Sequence, residues 1–201
     1  MTTPPLRRVA LVAALLFCLS GAAFATLVPR MSFEQIVEGS ASIVHGTVVR
    51  TWSAWDSSRS TIWTHYEVRI AESLKGDRAD TIVISEPGGE VDGTQMQVVG
   101  APRYAIGEEV VLFAASTPMG FLRTCGWGQG KFQVQETEPG GDKRILGGLG
   151  SVQLVDPTGT TKESRREAGV DLQTLDGLSL EAFKARVRAS VSALGRVETS
   201  R

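Results

Sequence analysis

The chain has 201 residues, of which 42% are hydrophobic and 21% charged, and it carries a formal charge of −1. That length suits one domain with a sizeable core and leaves little room for two large ones. Near-neutral charge gives no bulk attraction to nucleic acid or anionic lipid, so neither is expected as a partner.

In chain order, residues 1–25 read as a secretory signal peptide. Arg7 and Arg8 supply the positive start, Val9 to Leu19 the apolar stretch, and Ala23-Phe24-Ala25 an A-x-A cleavage site. An apolar run of about 11 residues falls short of the roughly 20 needed to span a bilayer. The expectation is cleavage after Ala25, a mature chain starting at Thr26 in the periplasm or outside the cell, and no membrane contact afterwards. Cleavage removes Cys18 and leaves Cys125 alone, which excludes an intramolecular disulfide. A lone thiol in an oxidising compartment is most often buried as a small hydrophobe.

Ser32 to Glu38 predicts a short helix, with Ser32 as N-cap and Gln35 completing a capping box. Ser42 to Arg50 is rich in β-branched residues and predicts a strand, with Gly46 marking a bulge or bend. Thr51 to Ser60, with Trp52 and Trp55, reads as a polar loop. The following stretch, Thr61 to Gly76, alternates Ile62, Thr64, Tyr66, Val68, Ile70, Glu72 and Leu74 against Trp63, His65, Glu67, Arg69, Ala71, Ser73 and Lys75. This period of two predicts one long strand with a buried face, which must coil around a core and so suggests a small barrel. Tyr66, Val68 and Ile70 should point inward, and His65, Glu67 and Arg69 outward.

Thr81 to Ser85 predicts a short strand ended by Pro87-Gly88-Gly89, and Gly93 to Val99 a marginal one. Glu109 to Ala115 is continuously apolar, as in a strand buried on both faces. Phe121 to Cys125 and Lys131 to Gln135 follow as strands. Glu138 to Asp142 is a turn, and Lys143 to Leu146 with Val152 to Val155 predicts a last hairpin. Residues 26–156 thus form an antiparallel barrel domain, and 157–177 a linker or ordered loop. Residues 178–195 form a helix capped by Ser179 and docked through Leu180, Phe183, Val187, Val191 and Leu194, and 196–201 a disordered tail.

The segments ASIVHGTVV, YEVRIAESLKG, GEEVVLFA and FLRTCG, in that order, resemble the core of netrin-like modules and tissue inhibitors of metalloproteinases. They also resemble a family of secreted bacterial proteins with the same order of segments. The resemblance covers Phe33 to about Val134 and implies a mainly β fold, an OB-like antiparallel barrel carrying the two helices. Those inhibitors grip the protease zinc through a disulfide-bonded N-terminal cysteine. A chain starting at Thr26 lacks it, so no inhibitory residue carries over.

No G-x-S-x-G, H-E-x-x-H or P-loop is present, so no catalytic residue, metal ligand or cofactor is assigned. His45 and His65 fall on polar strand positions without the further ligands that zinc requires, and are expected at the surface. Glu86, Glu90 and Asp92 in EPGGEVDG do not fit a calcium loop and are expected to be solvated. Trp52, Trp55 and Trp63 are the candidate binding residues, because exposed aromatics can stack on a glycan or peptide; covering the barrel is their alternative use. The functional expectation is a secreted, non-enzymatic module that contacts an extracytoplasmic protein or glycan through its loops. The alternatives are a metalloprotease-inhibitor-like protein and an enzyme whose site the sequence does not reveal.

Overall fold

A computed structural model of the chain describes residues 28–147, 154–155 and 172–198. The leader, Cys18, the start at Thr26 and most of the expected linker lie outside the described residues. In chain order come β1 (Val28–Pro29), α1 (Phe33–Gly39), β2 (Ser42–Trp55), β3 (Ile62–Lys75), β4 (Thr81–Pro87), β5 (Gly89–Val91), β6 (Thr94–Met96) and β7 (Glu109–Ser116). They are followed by β8 (Leu122–Thr124), a 3-10 turn (Trp127–Gly130), β9 (Lys131–Glu136), β10 (Lys143–Gly147), β11 (Leu154–Val155), a 3-10 turn (Leu172–Leu175) and α2 (Leu180–Glu198). The chain is mainly β with two helices, as expected.

The sheet runs β10-β9-β7-β2-β3-β4-β8, and β8 also pairs with β7, so β2, β3, β4, β8 and β7 form a ring. One edge of β7 makes this possible. Its first half, Val110 to Leu112, pairs with β9, and its second half, Ala114 to Ser116, pairs with β8. All of these pairings are antiparallel except β4 with β8, which is parallel through Ile84 and Leu122.

Side chains sort onto the two surfaces of the ring. Val44, Val48, Tyr66, Val68, Ile84, Tyr104, Val110, Leu112 and Ala114 fill its interior. Val111 and Phe113 of the same β7 point the other way, beneath α1 and α2, where they meet Phe33, Ile36, Phe132, Ile145, Phe183 and Val187. The continuous apolar run of β7 is therefore buried on both faces. Tyr66 and Val68 point inward and Ile70 packs against them, while Arg69 is exposed.

The long β2–β3 ribbon coils through bulges. Register shifts occur between Ile43 and Val44, His45 and Gly46, and Val48 and Arg50. Gly46 is required at its bulge, since a Cβ there would lie 2.3 Å from the Arg69 carbonyl oxygen. The bulges also change which face an alternate residue meets. Ile70 faces the ring interior, but Glu72 and Leu74 swing to the outside, where Leu74 joins the helix-covered core and Glu72 accepts from Lys184 and Arg188 of α2. The single apolar face expected from Ile62 to Leu74 therefore ends at Ile70.

α1 has the capping box: Gln35 N–H donates to Ser32 Oγ, and Ser32 N–H to Gln35 Oε1. At its other end, Lys75 Nζ donates to the carbonyls of Val37 and Glu38, placing a cation where the helix dipole favours one. Phe183 and Val187 are fully buried, so α2 docks through its apolar stripe. Ser179 Oγ accepts from Ala182 N–H at its start. The helix runs on through Glu198, so residues 196–198 are helical and not tail.

Three further expectations are corrected. Thr51 to Trp55 is strand, because β2 continues along β3 to the Trp55–Ile62 pair and the loop is only Asp56 to Thr61. The marginal strand at Gly93 to Val99 is a β5–β6 hairpin turning at Asp92-Gly93, both in the left-handed region, as a two-residue Asp-Gly turn requires. Finally, β10 and β11 make no hairpin: β10 pairs with β9, and Leu154–Val155 lies parallel to Val28–Pro29.

Candidate binding face

The outer surface of the ring has a second half, beyond the helices, built from the far ends of β2 and β3. The bulge at Val49 sets which residues reach it. Beyond the bulge Arg50 lies opposite Glu67, Trp52 opposite His65 and Ala54 opposite Trp63, so these share the outer face. On the neighbouring β4, His65 is level with Ser85 and Trp63 with Pro87.

Aromatic rings dominate this half. Trp52 stacks on His65 with ring centroids 5.2 Å apart and planes inclined by 27°. Phe121, entering β8, meets His65 at 5.9 Å and Trp63 at 5.3 Å. The Arg123 guanidinium lies 5.7 Å from the Trp63 ring and 5.0 Å from that of Trp127. At the other end the Arg50 guanidinium lies 4.3 Å from the Trp52 ring. Such cation–π contacts are each worth about 0.5–2 kcal/mol, depending on desolvation.

The two arginines that lie against the rings each have a carboxylate partner. Arg50 Nε donates to Glu67 Oε2 at 2.8 Å. Arg123 donates through Nε and Nη2 to Glu86 Oε2, at 3.3 and 3.1 Å. Glu86 is fully buried, correcting its expected place in a solvated loop. It sits where the backbone ladder between β4 and β8 gives out: two residues past the Ile84–Leu122 pair, Thr124 N–H donates to Glu86 Oε1 at 2.7 Å. The carboxylate thus continues the ring closure in place of a carbonyl. Burial pushes its pKa above the ordinary carboxylate value, against the opposing pull of Thr124 and Arg123.

His65 Nδ1 is 2.8 Å from Ser85 Oγ. Burial lowers the His65 pKa, which favours the neutral imidazole. The serine–histidine pair was not foreseen from the sequence, where 20 residues separate the two. It does not form a nucleophilic site: Ser85 is 2% exposed in the middle of a paired strand, out of reach of a substrate.

The other expected site residues are dispersed. Trp63 is 6% exposed beneath Phe121 and Arg123, whereas Trp52 is only half-buried. Trp55 pairs with Ile62 and so faces the opposite side of the ribbon, away from Trp52 and Trp63. Glu90 and Asp92 are exposed or turn positions of the β5–β6 hairpin. Cys125 is buried, and burial raises its thiol pKa.

His45 is buried too, correcting its expected surface position. Its Nε2 is 2.7 Å from Glu109 Oε1, and Lys143 Nζ donates to both Glu109 oxygens. Partial burial would raise the Glu109 pKa, but the hydrogen bonds from Lys143 and His45 outweigh it and hold it below the ordinary value. On β3, His45 is level with Glu72 and His65 lies seven positions away, about 20 Å at roughly 3.3 Å per residue. The histidines do not converge, and the described residues contain no group of three or more His, Cys, Asp and Glu able to hold a metal.

Phe121, Arg123, Arg50, Ser85 and Trp127 were missed as members of this face. A usable signal was the i, i+2 spacing of Arg50 with Trp52 and of Phe121 with Arg123, which places each pair on one side of a strand. Trp127 left none: it holds a left-handed φ of 59° directly after Gly126 at 60°, a conformation that bulky residues rarely adopt. No family model, curated protein or solved structure matches the chain. Among the described residues no helix is long and apolar enough to cross a membrane.

Proposed function

We propose that this chain is an exported binding module on an OB-like, netrin-like ring, and that it holds an extracytoplasmic protein or glycan against the outer face of β2, β3 and β4. The observation that carries the reading is the half-buried Trp52, stacked on His65 and flanked by Arg50, on a stretch of paired strand that neither helix packs against. Aromatic groups with polar edges are the side chains that contribute most to recognition, and paired strands fix them before the ligand arrives. Export rests on the leader-like residues 1–25. Binding is favoured over catalysis because His45 and His65 are engaged with Glu109 and Ser85 inside the fold, and neither approaches a reachable nucleophile.

The test is a comparison of two tryptophans on opposite sides of one ribbon. Trp52→Ala should abolish capture of whatever envelope component the wild-type protein retains, with an unchanged far-ultraviolet spectrum, while Trp55→Ala should retain it. Equal capture by wild type and Trp52→Ala would refute the assignment of this face.

A further inference from the structure

We propose that the Trp52–His65–Phe121 face binds an uncharged glycan chain, a proposal that rests on the binding-module reading above. The argument starts from charge. The two cations that lie against the rings are already matched, Arg50 by Glu67 and Arg123 by the buried Glu86; the exposed Arg69 is level with Thr47 and Thr81, one step beyond Glu67 toward the helix-covered half. Near the rings, an anionic ligand would have to take Arg50 from Glu67 or draw Arg123 from a carboxylate that, among the described residues, has no other cation bonded to it. A cationic ligand would meet the two guanidinium groups beside the rings. Neither sign of charge is complementary to the part of this surface that carries the rings.

A sugar hydroxyl does fit. It can accept from the Arg50 guanidinium and donate to the Glu67 carboxylate at once, adding to the pair without breaking it. Arg50 is 64% exposed in its side chain and Glu67 23%, so the pair is within reach of such a ligand. Next to it lies Trp52. The C–H face of a pyranose ring is apolar and carries slight positive charge, which complements the negative π face of an indole.

The aliphatic content of the face points the same way. Protein interfaces surround their anchors with a broad patch, about 800 Å² per partner, whose fully buried centre is more apolar than the rest of the surface. The large exposed hydrophobics of the described residues are Val83, Val99, Ile106, Met119 and Leu146; of these Val83 is level with Glu67 on β4, and Met119 lies two residues before Phe121. Val99, Ile106 and Met119 are in connections between strands. Aromatic rings with paired polar groups, carried on extended strands, suit an extended chain of sugars better than a protein surface.

The experiment titrates the full mature chain with cellohexaose and hexa-N-acetylchitohexaose, both uncharged, and with oligogalacturonate, which is anionic, following tryptophan fluorescence and heat. At least one uncharged oligosaccharide should bind, with an affinity that changes less than twofold between low and high salt. Trp52→Ala should weaken it tenfold or more, Glu67→Ala should weaken it by a smaller factor, and Trp55→Ala should leave it unchanged. The salt series on the wild-type protein keeps the test decisive even if Trp52→Ala fails to fold. Binding of oligogalacturonate alone, lost at high salt, would overturn the uncharged-glycan proposal while leaving the face intact, provided Trp52→Ala removes it. Failure of all three probes would overturn the glycan proposal, and the envelope capture comparison would then decide the face separately. Binding of an uncharged probe that Trp52→Ala and Glu67→Ala leave untouched would overturn both.

Discussion

The two halves of the ring's outer surface use aromatic residues in opposite ways, although the same two strands, β2 and β3, contribute to both. In the helix-covered half, Phe33, Phe113, Phe132 and Phe183 meet edge to face or tilted, with centroids 4.8 to 6.3 Å apart, and each is buried. In the other half the rings are Trp52, Trp63, Trp127 and His65 with one phenylalanine, Phe121, and arginines flank them. A phenyl ring has no polar atom to satisfy and gains most from complete burial. Indole and imidazole carry N–H groups, which favour a margin with water or a hydrogen-bond partner nearby. The first half is a core that happens to lie outside the ring. The second is a surface whose rings are held in place by each other.

The sharpest way to break this comparison is to remove one ring from each half. Phe183→Ala deletes a fully buried ring at the centre of the phenylalanine cluster and should cost about 3–5 kcal/mol in chemical denaturation, enough to threaten folding. Trp52→Ala removes a half-buried ring with one close stacking partner and should cost about 0.5–1.5 kcal/mol. Equal losses would mean that the face around Trp52 is core as well.

How much of this difference could be read from the sequence depends on where the strand parity holds. The capping box at Ser32 and Gln35, the stripe through Phe183 and Val187 and the doubly buried run of β7 are local patterns, and each was legible. The far end of β2 was not. Val44 and Val48 face the ring interior, and extending their alternation would send Trp52 inward with them. The extra residue Val49 reverses the parity, so that Trp52 faces out while Ser53 and Trp55 face the inner side. A bulge of this kind leaves no mark in composition, and the serines after Trp52 made the stretch read as loop. Glu86 was hidden for a related reason. A single acid beside Pro87-Gly88-Gly89 looks like a turn residue, and only the ring closure shows that its carboxylate stands in for a missing ladder partner of Thr124.

A register shift that decides which side of the ribbon a residue meets should not tolerate crowding. Gly46 sits at the neighbouring register shift, where a Cβ would lie 2.3 Å from the Arg69 carbonyl oxygen and 2.9 Å from a Val68 methyl. Both obstacles belong to the paired strand, and the carbonyl cannot rotate away. Gly46→Ala should therefore cost about 1–3 kcal/mol by overcrowding, despite the gain in strand propensity that alanine would otherwise bring. A variant as stable as wild type in urea would show that the ribbon relaxes at this shift, and the account of how Glu72 and Leu74 come to lie on the helix-covered side would lose its basis.

The smallest expected effect comes from protonation, and it separates the two halves by pH window. His65 has its pKa lowered by burial, so the folded state takes up its proton at lower pH than the unfolded chain does. Stability from this group is fully present above the unfolded value of about 6.5 and falls as the pH drops below it. The loss levels off once the pH is under the lowered folded value. Carboxylates of the helix-covered half titrate later. Partial burial opposes it, but the cations Lys184 and Arg188 hold the Glu72 pKa down, as Lys143 and His45 do for Glu109. Their contribution is lost only below the ordinary carboxylate range near pH 4.5. Glu86 acts with the opposite sign: its pKa is raised, so acid favours the folded state through that group until the unfolded carboxylate is protonated as well. Subtracting the pH profile of His65→Gln from that of wild type removes the carboxylates common to both. The difference should be flat above pH 7 and decline from about 6.5 downward. Wild-type tryptophan fluorescence should change over the folded-state titration of His65, because an imidazolium stacked on Trp52 quenches the indole, and the change should be absent in Trp52→Ala. A difference profile that stays flat to pH 4.5 would mean that His65 titrates like a solvated side chain, and that the rings around it do not exclude water as their spacing implies.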